Sequence, residues 1–400
     1  MLNLAKIAGD LPGMSQHFKA EATASRQRLD QALILWQQAQ EHQTELVRTA
    51  QQFSDRLFFS VALPVEPLDT RPVISTPPVS HSIFATDGSQ IAPSHHEIAY
   101  CYLINIGRIM LHYGQNRHPL IDSIPEVYYR PEDLYVSRQW GIRTEDWMGY
   151  RRTVLEAQFL AEMACRWVNP PGPHSEPNLA LVDGSLIYWF LEGLPLEARD
   201  QILTPILAAW ESLRKVGVPL IGYLSASRSS EALNLLRLQA CSYDQPHCAQ
   251  HCHHYQEREE KTPCQVFDPL RDSQFWRQLL APGQRSPLWR SSLRILDLYP
   301  ASQRIYFCYV NVGAEIARVE FPAWVAEDQD LLGRSLAILL AQVNKGFGYP
   351  VALAEAHNQA VVRSGDRARF FALLEQQMIK AGLHNVGISY KEARKRGSIV

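Results

Sequence analysis

Twice in this chain an apolar, β-type run ends in the same tripeptide. Ser82-Ile83-Phe84-Ala85-Thr86 leads into Asp87-Gly88-Ser89, and Leu179-Ala180-Leu181-Val182 leads into Asp183-Gly184-Ser185. Taken singly, each Asp-Gly is ordinary turn chemistry, because both residues tolerate unusual backbone angles. The pair is more restrictive. Each Asp sits at the edge of an apolar run and not between polar residues, so both carboxylates are expected at the rim of a buried sheet. Between them, "TEDWMGYRRTVLEAQFLAEMACRWV" reads as a helix with Thr144 as its cap and Val154, Phe159, Leu160 and Met163 facing inward.

The alternation continues on both sides. "EIAYCYLINIGRIMLHY" supplies one or two further strands, "VPLIGYLS" another, and "LRILDLY", "RIYFCYVNVG" and "IARVEFPAW" return as strands. "ARDQILTPILAAWESLRKVG", "SSEALNLLRLQA" and "DLLGRSLAILLAQVNKGFG" read as helices. The expected class is α/β with a mixed sheet. Residues 1–62 read as an N-terminal amphipathic helix whose stripe of Leu29, Leu33, Trp36, Ala39 and Leu46 packs on the domain or meets a partner such as a second copy in a homodimer. Residues 63–81 are proline-rich and read as a linker.

With 400 residues, 46% hydrophobic and 20% charged, the chain sustains a large core. A formal charge of -2 excludes a uniformly basic nucleic-acid coat, so any nucleic-acid contact must be local. Lys6, Asp10 and Lys19 interrupt the N-terminal apolar residues, and no run approaches the ~20 apolar residues of a membrane span. A soluble, cytoplasmic protein without membrane contact is expected. Seven cysteines, an odd number, point to reduced thiols or metal ligands instead of a disulfide framework.

Two aspartates need a third acid to make a metal site. Glu156 and Glu162 are six apart on the intervening helix and so do not share a face; either is otherwise a solvated charge. Asp87, Glu156 and Asp183 together make a hard, oxygen-only set suited to Mg2+ or Mn2+. His357, inside the apolar helical run "GYPVALAEAHNQAVV", adds a base-like group, or is a structural histidine.

In this order, Asp-Gly-Ser after a strand, an Arg- and Glu-bearing helix, Val-Asp-Gly-Ser, "YVNVGAEIARVEFPAW", "GYPVALAEAH" and a closing Lys/Arg-rich tail, residues 80 to 396 resemble the NurA nuclease family. The resemblance implies an RNase H-like nuclease domain at 82–396, with Mn2+-dependent (or Mg2+-dependent) 5′ to 3′ exonuclease and single-strand endonuclease activity on DNA. It further implies work with a HerA-type hexameric ATPase in resecting double-strand breaks. By the same resemblance Asp87 is the first metal-binding aspartate, Glu156 the helix glutamate, Asp183 the second aspartate and His357 the late histidine. Where family members carry a Ser/Lys segment this chain has "YLSASRSSEAL", which makes Ser225 and Arg228 the expected substrate contacts. The competing reading is a non-catalytic DNA-binding or scaffolding subunit whose acids are turn residues.

Residues 241–272 form a Cys/His-rich insertion that departs from that family. "CSYDQPHCAQHCHHYQEREEKTPC" brings Cys241, Cys248, Cys252 and Cys264 together with His247, His251, His253 and His254, but not as a CxxC pair. Three readings follow: incidental thiols in a polar insertion, a structural Zn2+, or an iron-sulfur cluster.

Overall fold

The computed structural model describes residues 11–93, 99–169, 176–258 and 260–382. The basic tail from Lys391 to Arg396 lies outside them. Among the described residues nine strands run in chain order: β1 (Leu63–Pro64), β2 (His81–Ile91), β3 (Tyr102–Tyr113), β4 (Leu120–Tyr128), β5 (Asn178–Asp183), β6 (Leu220–Leu224), β7 (Trp289–Arg290), β8 (Ile305–Asn311) and β9 (Ile316–Pro322). The chain divides into two compact units, each assembled from three separated pieces. No described helix is long and apolar enough to cross a membrane.

One unit comprises Ser75–Tyr223, Leu298–Gln303 and Phe321–Val400. Its strands lie in the order β6-β5-β2-β3-β4. β2 pairs antiparallel with β3, and β3 with β4, whereas β5 runs parallel to β2 and β6 parallel to β5. This mixed sheet, three antiparallel strands extended by two parallel ones, is the RNase H-like arrangement. Its inner strands are near-continuous apolar runs because both faces are covered. β4 instead alternates half-buried and exposed residues and contains Pro125, as suits an edge strand. Helices Thr144–Val168 and Val351–Ala360 both pack on β2 and β3. Thr144 does not cap its helix: the N-cap is Arg143, and the Thr144 hydroxyl donates to the Leu134 carbonyl at 2.9 Å.

The other unit comprises Met1–Ile74, Leu224–Asp297 and Arg304–Glu320, with strands in the order β1-β7-β8-β9. The N-terminal helix, Leu11–Glu41, breaks at His42 and resumes over Gln43–Gln52. Its apolar stripe is used in packing: Trp36 is 2% exposed and sits edge-on to Phe275 and Trp276, with ring centroids 5.2 and 5.1 Å away. Residues 63–74, expected as a linker, belong to this unit. Leu63 and Pro64 pair with β7, Leu68 is buried, and Glu66 takes a bidentate ion pair from Arg285 at 2.6 and 2.8 Å. Proline is tolerated there because an edge strand leaves some backbone donors unneeded. "LRILDLY" forms a 3-10 turn at Arg294–Leu298 and not a strand.

Candidate active site

The parallel pairing of β2 with β5 ends at Thr86↔Val182, while β2 stays paired with β3 as far as Ile91. The next residues on the two parallel strands are Asp87 and Asp183. Both carboxylates therefore stand where the sheet opens at the carboxyl ends of its parallel strands, a common location for ligands in α/β sheets. Asp87 Oδ1 accepts from the Gly88 backbone at 2.8 Å. Asp183 accepts from the Tyr349 hydroxyl; loss of solvent, then the neighbouring Asp87, push its carboxyl above the ordinary range, against Tyr349 and His357.

Glu156 comes from the helix. The Thr86 hydroxyl donates to the Glu156 carbonyl at 2.9 Å, which fixes this turn of the helix over β2. A Cβ at Gly88 would lie 2.5 Å from Glu156 Oε1 and 2.6 Å from Arg152 Cγ, so only glycine admits that carboxyl beside the strand. Arg152 Nε approaches Glu156 Oε1 at 3.3 Å without hydrogen-bond alignment. Burial pushes the Glu156 carboxyl up to about 7, with Asp87 and Asp183 adding to the shift and Arg152 opposing it. Glu162, six residues further along the helix, pairs with Arg166 at 2.7 Å with 39% of its side chain exposed. Of the two glutamates the structure brings only Glu156 to the aspartates.

His357 arrives from helix Val351–Ala360, with Nδ1 2.8 Å from Asp87 Oδ2. An ionised carboxylate can only accept, so Nδ1 carries the proton. The helix is seated by Gly107, the cross-strand partner of Asp87, where a Cβ would lie 2.6 Å from Ala360 N and closer still to Ala356 O. Ser89 and Asn105 then donate to the Ala360 carbonyl, satisfying an acceptor that a helix end leaves open. Gly107→Val should displace this helix, part His357 from Asp87 and cost about 1–3 kcal/mol by overpacking. Urea denaturation checks the loss.

Successive residues of a strand point to opposite faces. Gly88 and Thr86 face the Glu156 helix, and Asp87 and Gly107 face the His357 helix. The acids thus reach one edge from opposite sides of β2. Among the described residues no three His, Cys, Asp or Glu groups already lie close enough around a point to hold an ion. By donor type and charge they nonetheless fit Mg2+ or Mn2+. All three are hard oxygen donors, and the charge of Asp87 pushes up the carboxyls of both Glu156 and Asp183, an excess that a divalent cation relieves.

Ser225 and Arg228 belong to the other unit. The Ser225 hydroxyl and the Ala226 backbone both donate to Glu315, at 2.9 and 2.8 Å, so Ser225 is held internally. Arg228 is exposed. Cys241, Cys248, Cys252 and Cys264 are all free thiols and line one small, mostly apolar cavity with Arg237 and Tyr243. Among the described residues no three of these groups are drawn together tightly enough to hold an ion, and Cys264 lies against Arg237 and Thr262, at 3.6 and 3.4 Å. Gly107 has no part in the sequence reading, and Tyr349 and Arg152 enter it only within "GYPVALAEAH" and the Arg- and Glu-bearing helix, without a role. Gly107, a glycine inside the apolar run of β3, was the one visible signal of a close approach.

The sheet order and the acids at its open edge define an RNase H-like domain carrying an acidic site. The chain belongs to the NurA domain family, whose model matches residues 81–362. Among solved structures it is similar to the NurA nuclease from Sulfolobus solfataricus, with a TM-score of 0.52 and 13% identity over 95% of this chain and 98% of that one. The catalytic domain of human endonuclease V matches with a TM-score of 0.30 and 10% identity over 88% of this chain and 98% of that one. LC9-RNase H1 matches at 0.18 and 11%, over 41% and 72%. No curated protein matches the chain.

Proposed function

We propose that this chain is a Mn2+- or Mg2+-dependent DNA nuclease of the 5′ to 3′ exonuclease and single-strand endonuclease type. In this reading it acts as a cytoplasmic homodimer with a HerA-type hexameric ATPase at double-strand break ends. The observation that carries the reading is the convergence of Asp87, Glu156 and Asp183, from three separate segments, on one open sheet edge with His357 bonded to Asp87. Those three carboxylates would hold the ion, which when bound supplies Lewis acidity and an acidified water. The remaining work falls to the chain. His357, protonated at Nδ1, leaves Nε2 free to accept and pass on a proton in the neutral ring. Tyr349 fixes the orientation of Asp183, and the Arg152 guanidinium beside Glu156 offers a cation to a phosphate.

End-labelled DNA incubated with purified protein and Mn2+, Mg2+ or EDTA tests the reading. Loss of label with either metal and none with EDTA is the expected result, and intact DNA in every lane would leave the scaffolding subunit. Glu156→Gln should lower turnover about 100-fold, because it removes an ion ligand, while Glu162→Gln stays near wild type. The opposite ranking would place the site on the wrong helix face. For the four thiols, binding of a thiophilic ion requires the sulfurs to draw in. Metal analysis of protein prepared without chelator separates about one zinc per chain from iron with labile sulfide, or from bare thiols.

A further inference from the structure

Phe347 is fully exposed, at 100% of its surface, and holds a positive φ of 55° although it is not glycine. A large apolar side chain displayed to water and a left-handed backbone are both unfavourable. Both are held in a fixed turn between helices Gln329–Lys345 and Val351–Ala360. Gly346 donates to Gln342 at 3.0 Å and Gly348 to Val343 at 3.0 Å. A Cβ at Gly346 would collide with the Tyr349 carbonyl, so the turn is closed tightly. Two residues after Phe347, Tyr349 packs edge-on to Tyr223 at 5.6 Å and bonds Asp183. Two residues span at most about 7 Å, so the exposed ring stands within a few nucleotides' reach of the acids. Strained, over-determined residues of this kind cluster at ligand clamps.

We propose that Phe347 is a preset platform on which a base of a single-stranded nucleic acid stacks while a phosphodiester a few nucleotides along the same strand lies at Asp87, Glu156 and Asp183. The assignment rests on the nuclease reading of that site. Every base has a π-face, so such a platform binds strands without sequence preference.

The test compares the full chain with Phe347→Ala, Phe347→Gly and Phe347→Trp on two substrates with Mn2+: a labelled single-stranded oligonucleotide, and bis(p-nitrophenyl) phosphate, which has no base. Phe347→Ala should raise KM for the oligonucleotide roughly 10- to 100-fold. Phe347→Trp should stay near wild type, and turnover of the baseless diester should be unchanged in all three. Phe347→Gly should melt higher than wild type while binding DNA worse, because glycine relieves the backbone. Quenching of an oligonucleotide carrying 2-aminopurine, read without metal, should be lost in Phe347→Ala. Oligonucleotide KM within twofold of wild type, or unchanged quenching, overturns the platform. A wild-type chain that cleaves neither substrate yet quenches through Phe347 overturns the nuclease reading and keeps the platform.

Discussion

Asp183→Asn, and separately Asp87→Asn, should lower metal-dependent cleavage by about a thousandfold or more, since an ion ligand is worth several kcal/mol of transition-state stabilisation. The amide keeps the size of the side chain and an acceptor oxygen, so Tyr349 can still donate to position 183 and His357 to position 87. At position 183 the charge is the main loss; at position 87 the single amide oxygen serves His357 and the Gly88 N–H gives up its acceptor. Because burial and mutual repulsion already push Glu156 up to about 7, removing one negative neighbour should leave the melting temperature level or slightly raised. An inactive protein that melts as wild type is the expected pair of results. Activity within tenfold of wild type, with unchanged melting, would take that aspartate out of the site.

The second large effect lies in the other unit, at Arg318. Its side chain is 4% exposed, and its guanidinium reaches Glu320 at 2.7 Å, Glu231 at 3.1 Å and Ser229 at 3.0 Å while lying 3.6 Å over the Phe307 ring. Glu231 also accepts from Ser291 and Ser292. Arg318→Met should destabilise the protein by about 3–5 kcal/mol, because it leaves two buried carboxylates without their cation. Lysine should not rescue it, since one ammonium cannot meet three directions in a plane. Replacing Arg318, Glu231 and Glu320 together with apolar residues should recover most of the loss. Equilibrium urea denaturation of the three variants decides the matter, and a loss below about 1 kcal/mol for Arg318→Met would show the network to be dispensable.

The acids were legible because strands buried on both faces write themselves as apolar runs, which makes a terminal Asp conspicuous. Glu156 could be separated from Glu162 by helical periodicity, though only the contact with Gly88 shows which of them faces the strand. Strand β4 escaped notice because an edge strand with Pro125 has neither a continuous run nor a full ladder. Residues 63–74 look like a linker since proline has the same local signature in a loop and on a sheet edge. Tyr349 and Arg318 were invisible for another reason. Their partners, Asp183 and Glu231, are fixed by pairing across long stretches of chain, and no local pattern records such contacts.

The bond between His357 and Asp87 joins residues 270 positions apart. At the ~5–20 residues per second of protein synthesis, β2 leaves the ribosome roughly a quarter of a minute to a minute before the helix that carries the histidine. During that interval a nascent chain surrounded by RNA can display its acids but has no His357 beside Asp87. The proposed site is complete only when Val351–Ala360 docks on Gly107, so its assembly waits on a late step of synthesis.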